Sequence, residues 1–277
     1  MARPLGQPTQ VMGVINLTPD SFSDGGRFRS PDQALRQAKT LVKAGVGVLD
    51  LGAQSTRPGA EDVGGVEELN RLLPSLQAIR SAFPPGLGQP LISVDTYRAC
   101  VAQRAIEAGA DWINDISGGV RDPDLLAVVA AADCPYVLMH SRGDSHSMDS
   151  LTDYGPEGVI AGVLRELRRA TERALAAGVR MERLIWDPGL GFAKTTEQNL
   201  ELLKGLEQLK ADGIPLLVGP SRKRFIGAVL DEPRPKARLW GTAAVVARCV
   251  AAGVDVVRVH DGAAIVQVAR MADALWA

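Results

Sequence analysis

The segment Leu91-Ile92-Ser93-Val94-Asp95 is a short apolar run that stops at an acid, and this pattern recurs along the chain. Seven further runs end at or beside a side chain that can do chemistry. The predicted strands are Val11–Ile15, Val46–Leu51, Leu91–Val94, Trp112–Ile113, Tyr136–Met139, Leu184–Trp186, Leu216–Val218 and Val254–Val259. Amphipathic stretches separate them, as in repeated strand–helix units. We therefore predict a single α/β domain over residues 1–277, a (β/α)8 TIM barrel whose strands end on one active-site face.

The separating stretches carry helix signals. Ser30-Pro31-Asp32-Gln33 offers an N-cap, a proline at the first helical position and a capping-box glutamine, and the apolar face that follows stops at Gly45. A longer stripe begins at Val159 and stops near Gly178. The other predicted helices are Val66–Ala82, Arg98–Ala108, Leu125–Ala131, Gln198–Leu209, Arg238–Ala251 and Ala264–Leu275, with a short segment at Lys223–Leu230.

Composition excludes several classes of protein. Apolar residues make up 46% of the chain, but no run is long enough to span a bilayer, so we expect no membrane association. A net charge of −1 gives no general attraction to nucleic acid. Met1–Gln10 lacks the pattern of a secretion signal, which favours a cytoplasmic protein. Cys100, Cys134 and Cys249 have no metal-like spacing, and we expect buried, reduced thiols.

Three loops on the predicted active-site face are longer than a simple connection requires: Leu17–Arg29, Ala53–Gly65 and Ser141–Tyr154. Each is rich in Gly, Ser, Asp and Thr, a composition found both in mobile lids and in idle surface loops. Their occurrence on one face favours lids that close over a reaction.

Several basic and hydroxyl side chains on this face suit an anion. Ser55-Thr56-Arg57-Pro58-Gly59 places two hydroxyls and a guanidinium on the second loop. Arg258 and His260 leave the last strand at alternating positions, so we expect both to point the same way. Barrels often bind phosphate after strands seven and eight, which predicts an anionic group in the substrate. The alternative makes Arg258 the partner of a barrel acid and His260 a cap for the final helix.

Three acids end predicted strands: Asp50, Asp95 and Asp187. A carboxylate inside a barrel costs several kcal/mol unless it is paired or hydrogen-bonded. Lys223 and Arg258 can compensate part of this charge, and a ligand with N–H donors can compensate the rest. With Asn114, which donates and accepts, the set suits a planar heterocycle with an amidine-like edge. For Asp187 a turn or cap role is the alternative, because a proline follows it.

Metal and other catalytic signals are weak. The three histidines, His140, His146 and His260, show no zinc-binding spacing, and the chain has neither a Gly-x-Ser-x-Gly elbow nor a Gly-x-Gly-x-x-Gly fingerprint. Asn16 is a hard oxygen donor, compatible with a Mg²⁺ ion held mainly by water and substrate phosphate.

Taken together, these residues resemble the dihydropteroate synthase family of folate biosynthesis over essentially the whole chain. The resemblance rests on seven segments in the right order. They are Met12–Gly26 (MGVINLTPDSFSDGG), Ser55–Gly59 (STRPG), Ile92–Thr96 (ISVDT), Asn114–Gly119 (NDISGG), Asp187–Phe192 (DPGLGF), Gly219–Lys223 (GPSRK) and Arg258–Asp261 (RVHD).

The resemblance implies a transferase that joins 6-hydroxymethyl-7,8-dihydropterin diphosphate to 4-aminobenzoate and releases pyrophosphate. It implies that the pterin is held by Asp95, Asn114, Asp187 and Lys223, with Arg258 against its ring and Met139 and Phe192 nearby. We add Asp50 and Gly219 to the predicted substrate-binding set. Pyrophosphate and Mg²⁺ would be handled by Asn16, Thr56, Arg57, Arg258 and His260. The 4-aminobenzoate pocket, where sulfonamides also bind in this family, would be framed by Phe22, Pro58, Ser221 and Lys223.

The expected chemistry is a dissociative substitution. Loss of pyrophosphate leaves a methylene cation that the dihydropterin delocalises. The resemblance implies that Asp24 stabilises such an intermediate. The predicted catalytic residues are Asp24, Lys223, Arg258 and His260. Acids would stabilise the ring while bases and Mg²⁺ draw off the leaving group, and the first two loops would exclude water.

Two positions depart from the family pattern: Gln54 replaces a glutamate before the Ser-Thr-Arg-Pro-Gly segment, and Ser141 follows His140 where methionine is usual. These departures bear on rate and loop closure. One alternative function is a pterin-binding methyltransferase on the same barrel, which has no use for Ser55–Arg57 or Ser221–Lys223. Another is a paralogue that binds pterin without turnover. The family resemblance also suggests a homodimer.

Overall fold

The computed structural model describes residues 8–18, 30–55 and 62–276, and eight parallel strands form one sheet among them. The strands are β1 (Gln10–Asn16), β2 (Val48–Gly52), β3 (Leu91–Asp95), β4 (Trp112–Asp115), β5 (Tyr136–Met139), β6 (Leu184–Asp187), β7 (Leu217–Val218) and β8 (Val256–Val259). Their order is β6-β5-β4-β3-β2-β1-β8-β7. A single parallel bridge between Trp186 and Leu216 brings β6 and β7 together. The predicted barrel is confirmed.

Helices follow the strands in alternation and cover the outside of the sheet. They are α1 (Pro31–Ala44), α2 (Gly64–Ala82), α3 (Ala99–Glu107), α4 (Asp124–Ala132), α5 (Gly158–Ala176), α6 (Thr196–Lys204), α7 (Leu206–Leu209), α8 (Arg224–Leu230), α9 (Leu239–Ala251) and α10 (Gly262–Trp276). Every helix in the described part of the chain is too short or too polar to cross a membrane.

The predicted start of α1 is confirmed. The Gln33 backbone N–H donates to Ser30 Oγ at 3.3 Å, and the Ser30 N–H donates to Gln33 Oε1 at 3.0 Å. This reciprocal pair satisfies two donors that a helix start leaves unpaired. Gly45 ends the helix with a φ of +98°, a conformation that glycine adopts at low cost.

One predicted helix is divided. The stretch 198–209 forms α6 and α7, which are separated at Gly205. A Cβ at this position would lie 2.4 Å from Ile160 Cδ1 of α5, so a side chain here would displace the end of Ile160. Glycine weakens a helix by about 1 kcal/mol relative to alanine, which explains a break here.

The thiol expectation is partly wrong. Cys134 and Cys249 are buried and unpaired, as expected, but Cys100 is exposed. Cys100 is the second residue of α3, whose buried face is formed by Val101, Ala102 and Ala105. Its position on the opposite face of the helix accounts for the exposure.

The interior of the barrel has an apolar floor. Side chains from alternate strand positions point inward and pack into a separate cluster, which Trp112 borders. The floor residues are Met12, Val48, Val137, Ile185, Leu217 and Val256. The larger core lies outside the sheet, between strands and helices, where the outward-facing strand residues meet the apolar helix faces.

Candidate active site

The polar layer of the barrel lies one strand repeat above the floor. Inward positions repeat every two residues, so each floor residue is followed on the same side by the residue two places later. Five of the six floor residues are followed in this way by Asp50, Met139, Asp187, Gly219 and Arg258, and Asn114 follows Trp112, which borders the floor. We call this set, with Asp95, the rim. The strands thus bring together residues that the sequence placed far apart.

Arg258 joins two buried acids across the barrel mouth. Its Nε donates to Asp50 Oδ2 at 2.7 Å, and its Nη2 donates to Asp95 Oδ2 at 2.7 Å. The partner role that the sequence left open is therefore present. Burial opposes the charge on Arg258, but Asp50 and Asp95 raise its pKa above the ordinary arginine value. The guanidinium stays charged and lies in the predicted pterin site.

One acid of the rim, Asp50, has an oxygen without a partner in the described part of the chain. Asp50 Oδ1 is buried and has no hydrogen-bond partner among the described residues. Asn114 Nδ2 lies 3.5 Å from Asp50 Oδ2, at the limit of a hydrogen bond. Burial raises the pKa of Asp95 to about 7, against the opposing effect of Arg258, and Asp50 raises it further. The site therefore favours a ligand with N–H donors.

The turn role that the sequence left open for Asp187 is present, and its substrate-binding role stays a prediction. Its Oδ1 accepts the Gly189 N–H at 2.7 Å, which is a turn contact. Gly219 keeps space beside the rest of the carboxylate, because a Cβ there would lie 4.0 Å from Asp187 Oδ2 and 3.9 Å from Arg258 Cβ. Burial raises the pKa of Asp187, while the Gly189 contact and Lys223 oppose this shift.

An aromatic and thioether wall flanks these polar groups. Met139 packs with Tyr97 and Ile116, and Phe192 lies against this cluster. Lys223 Nζ lies 4.2 Å from the centre of the Phe192 ring, a cation–π contact. Burial lowers the pKa of Lys223 to about 8, and Asp187 opposes the shift. A flat ring can therefore stack on one side while it meets charged groups at its edge.

His260 differs from its predicted role as a positive group. Its N–H donates to Ser221 Oγ at 3.1 Å, and its Nδ1 lies 3.0 Å from the same oxygen. Burial, and next Arg258, lower the pKa of His260 to about 3, so the ring is neutral near pH 7. In the tautomer in which the Ser221 hydroxyl donates to Nδ1, the ring keeps Nε2–H as a donor. His260 thus supplies a hydrogen bond rather than a charge.

Arg258 and His260, predicted to point the same way, contact different partners. Arg258 reaches across the mouth to Asp50 and Asp95, whereas His260 turns to Ser221 beside the end of β7. His260 and Ser221 border a cavity of about 360 Å³ that Lys223 and Phe192 also line. Residues predicted to bind the pyrophosphate, the 4-aminobenzoate and the pterin therefore line one opening.

Part of the predicted site falls outside the described residues. Phe22, Asp24, Thr56, Arg57 and Pro58 lie there, and their roles stay predictions. Asn16 ends β1 at a half-buried position, where it pairs with Gly52 of β2. Within residues 8–18, 30–55 and 62–276, no group of three or more His, Cys, Asp or Glu side chains is placed to hold a metal ion.

The third predicted loop is described and lies at the barrel mouth. It contains a single helical turn, Met148–Ser150, and Ser141 Oγ donates to the Ile116 carbonyl at 2.7 Å. A cavity of about 370 Å³ lies between this loop and Tyr97, Phe192 and Gln54.

Lys194, a buried lysine close to Phe192, is a candidate that the sequence did not indicate. It contacts His140 and lies directly before Thr195, the N-cap of α6. The available signal was a lysine between a glycine-rich turn and a capping box, which alone does not indicate burial.

Comparisons with known proteins agree with the geometry. The family model described as pterin binding enzyme matches residues 12–260. A dihydropteroate synthase of Synechocystis is 53% identical over 272 residues, which cover 98% of this chain and 91% of that protein.

Two solved structures have the same fold. A Clostridium difficile dihydropteroate synthase, crystallised in the presence of pteroic acid, aligns with a TM-score of 0.89 at 39% identity over 98% of both chains. A Xanthomonas albilineans dihydropteroate synthase with 4-aminobenzoic acid aligns with a TM-score of 0.88 at 37% identity, over 98% of this chain and 94% of that one. The chain therefore belongs to the pterin-binding enzyme family, and within it to the dihydropteroate synthases.

Proposed function

We propose that the chain joins 6-hydroxymethyl-7,8-dihydropterin diphosphate to 4-aminobenzoate and releases pyrophosphate. The observation that carries this proposal is the Arg258 guanidinium, held between Asp50 and Asp95 with one carboxylate oxygen of Asp50 left without a partner. The named relatives support it, since one was crystallised with pteroic acid and another with 4-aminobenzoic acid. The chain is then a transferase of folate synthesis.

The rim is suited to the pterin ring. Asp95, Asp187 and the free oxygen of Asp50 offer acceptors to ring N–H groups, and Asn114 adds a donor and an acceptor. Phe192 and Arg258 offer flat surfaces for stacking. These acids place negative charge close to the ring, where positive charge develops during the reaction.

A dissociative substitution uses this polarity. The C–O bond to the diphosphate breaks and its electron pair leaves with pyrophosphate, so the pterin methylene becomes cationic. The lone pair of the neutral arylamine then forms the C–N bond, and the nitrogen releases a proton. Lys223, Arg258 and the His260 Nε2–H can assist the leaving group. One ion contact at about 4 Å stabilises by roughly 4 kcal/mol at an effective dielectric constant near 20.

Mg²⁺ is proposed as a partner of the diphosphate rather than of the protein. The half-buried amide of Asn16 at the end of β1 is a suitable oxygen donor for an ion that keeps most of its water and phosphate ligands. The absence of a carboxylate or histidine cluster in the described part of the chain suits such a loosely held ion. When bound, the ion would neutralise charge on the diphosphate.

Pyrophosphate release is the test of the reaction. Purified protein with pterin diphosphate, Mg²⁺ and 4-aminobenzoate should release pyrophosphate and form 7,8-dihydropteroate, and a sulfonamide should compete with 4-aminobenzoate. Tight pterin binding without release would favour the non-catalytic paralogue, and methyl transfer from a folate would favour the methyltransferase.

Oxygen-18 tests the order of bond breaking. If the C–O bond breaks first, label in the bridging position of the pterin diphosphate should scramble into non-bridging positions when the amine is withheld. Absence of scrambling while turnover with the amine is normal would contradict the dissociative order.

We also propose a homodimer. Val229, Leu230 and Trp240 are exposed at 58%, 49% and 79% where α8 and α9 meet, and a second copy could cover them. Sedimentation velocity should give a dimer for the natural chain and a monomer for Trp240→Glu. A natural chain that is monomeric at micromolar concentration would contradict this proposal.

A further inference from the structure

The loop between β6 and α6, residues 188–195, carries part of the wall of the active site. Phe192 lies on it beneath Lys223. Gly191 lies close to the same lysine, since a Cβ added at this position would lie 3.1 Å from Lys223 Cδ. The position of this loop therefore sets the position of two groups that face the substrates.

The buried amino group of Lys194 anchors the loop from below. Lys194 Nζ lies 2.9 Å from His140 Nδ1, 3.0 Å from the Gly189 carbonyl oxygen and 2.9 Å from the Phe192 carbonyl oxygen. Lys194 as a whole residue is 8% exposed. Burial lowers the pKa of Lys194 to about 7, and Asp187 opposes this shift. In its charged form the group has three hydrogens and no acceptor, so these three acceptors satisfy it completely. The group binds both ends of the Gly189–Phe192 turn.

The acceptor from His140 is itself held by a charged group, the Glu166 carboxylate. His140 Nε2 lies 3.0 Å from Glu166 Oε2, and Arg142 Nε donates to the same carboxylate oxygen at 3.0 Å. Burial lowers the pKa of His140 to about 4, so the neutral ring donates from Nε2 to Glu166 and accepts at Nδ1. The chain Glu166–His140–Lys194 thus connects α5 and the end of β5 to the loop.

Close packing leaves the turn little freedom to relax. A Cβ at Gly189 would lie 1.9 Å from the His140 carbonyl oxygen, and this glycine has a φ of +65°. Two further contacts hold the loop: Asn199 Oδ1 accepts the Gly191 N–H at 2.7 Å, and the Tyr154 hydroxyl donates to the Ala193 carbonyl at 3.1 Å. Neither of these contacts reaches the Phe192 carbonyl, which Lys194 binds.

We propose that Lys194 is a positioning residue for the condensation: through the carbonyls of Gly189 and Phe192 it holds the Phe192 ring and Lys223 in place for the pterin. This inference rests on the proposed function. Lys194 does not face the reacting atoms, and it acts through Phe192.

A double-mutant cycle tests the inference. Lys194→Met, Phe192→Ala and the double variant are compared with the natural chain in kcat/KM for pterin diphosphate and in its Kd. Each single change should lower kcat/KM by about tenfold or more. The kcat/KM of the double variant should lie within about threefold of that of the less active single variant, because the effects of coupled residues are not additive. An unchanged kcat/KM in Lys194→Met would overturn the inference. So would a double variant whose loss of kcat/KM equals the product of the two single losses.

Controls separate positioning from folding and from the proposed function. Lys204→Met removes an exposed lysine from α6 and should leave kcat/KM unchanged. Thermal unfolding is followed for every variant, and Lys194→Gln, which keeps two donor hydrogens, replaces Lys194→Met in the cycle if the latter does not fold. An inactive natural chain would contradict the proposed function, and the cycle in Kd would then decide the role of Lys194. If the natural chain is active and the two single losses of kcat/KM multiply in the double variant, only this inference is contradicted.

Discussion

The floor and the rim of the barrel are built by the same strands but have opposite properties. Floor residues such as Val48 and Val256 are apolar and buried, and their packing partners surround them. The rim residues two places later on the same strands, Asp50 and Arg258, are charged, and Asp50 keeps an oxygen without a partner among the described residues. Two strand residues span only about 6.6 Å, so stability and chemistry are separated by one repeat of the pleat.

Substitutions in the floor should affect stability, and substitutions in the rim should affect activity. The floor gains its free energy from burial, which a ligand does not change. The rim contains buried charges that cost free energy unless they are paired, and a ligand can supply the missing pairing. We therefore expect substitutions in the floor to lower the free energy of unfolding and substitutions in the rim to lower mainly kcat/KM.

The largest effect should come from breaking the rim at its centre. Arg258→Met leaves Asp50 and Asp95 without their shared cation and should lower kcat/KM for pterin diphosphate by about 1000-fold. Val256→Ala, two residues earlier, should cost about 2 kcal/mol of unfolding free energy while kcat/KM changes by less than about threefold. Steady-state kinetics and urea unfolding of both variants provide the measurements. Equal losses of activity in the two variants would contradict the division.

A large effect should also follow from pH, through Asp95. Burial raises its pKa to about 7 although Arg258 opposes the shift, and Asp50 and Glu68 also face it with like charge. If the carboxylate accepts pterin N–H groups, affinity for a pterin that lacks the diphosphate should fall about tenfold per pH unit below 7. Isothermal titration between pH 5 and 8 measures this. A flat profile would contradict the assignment, and Asp95→Asn is the control in which the slope should disappear.

The same ionisation should have the opposite sign in stability. Between the ordinary aspartate pKa near 4 and the raised value of about 7, the native chain keeps a proton on Asp95 that the unfolded chain releases. The contribution of Asp95 to the free energy of unfolding is therefore complete at low pH and declines as pH rises through this window. Pterin binding becomes stronger over the range in which this contribution to stability weakens. This opposition is expected of a rim residue and not of a floor residue.

A smaller effect should come from His260, at the edge of the rim. Because burial and Arg258 lower its pKa to about 3, it acts as a neutral donor, which glutamine can imitate. His260→Gln should lower kcat/KM by no more than about tenfold, whereas His260→Phe, which removes the donor, should lower it by about 100-fold. If catalysis instead requires a positive charge here, the glutamine and phenylalanine variants should be equally impaired.

Much of this division could be predicted from the sequence. The eight apolar runs identified the barrel, and the polar residues that end them identified the rim, because the ends of parallel strands meet at one face. The start of β8 was placed too early, at Val254, since Asp255 follows it: that carboxylate binds the Leu216 N–H and Lys210 rather than continuing the regular strand.

The role of Lys194 and the neutrality of His260 could not be predicted from the sequence. Lys194 is buried against His140 and Glu166, which come from other elements and are distant in sequence. The pKa of His260 depends on how deeply its ring is buried and on how close Arg258 lies, and neither can be deduced from spacing alone. Properties that depend on contacts between elements require the folded structure.

The smallest effect should come from Gln54, which lies two further residues beyond Gly52 at the end of β2 and so above the rim. Its Oε1 accepts the Val63 N–H at 3.0 Å, and its Nε2 donates to the Ser55 carbonyl at 2.9 Å. An amide can do both, whereas the glutamate that is usual in the family can only accept.

Gln54→Glu should therefore lose the bond to Ser55 and about 1 kcal/mol of unfolding free energy, while kcat/KM falls by about threefold or less. Gln54→Met is the matched control, because it loses both bonds and should be less stable than Gln54→Glu. Chemical denaturation and steady-state kinetics of the two variants provide the comparison. A loss of activity in Gln54→Glu as large as that of His260→Phe would mean that the catalytic layer extends above the rim, and that the division between the layers is drawn too low.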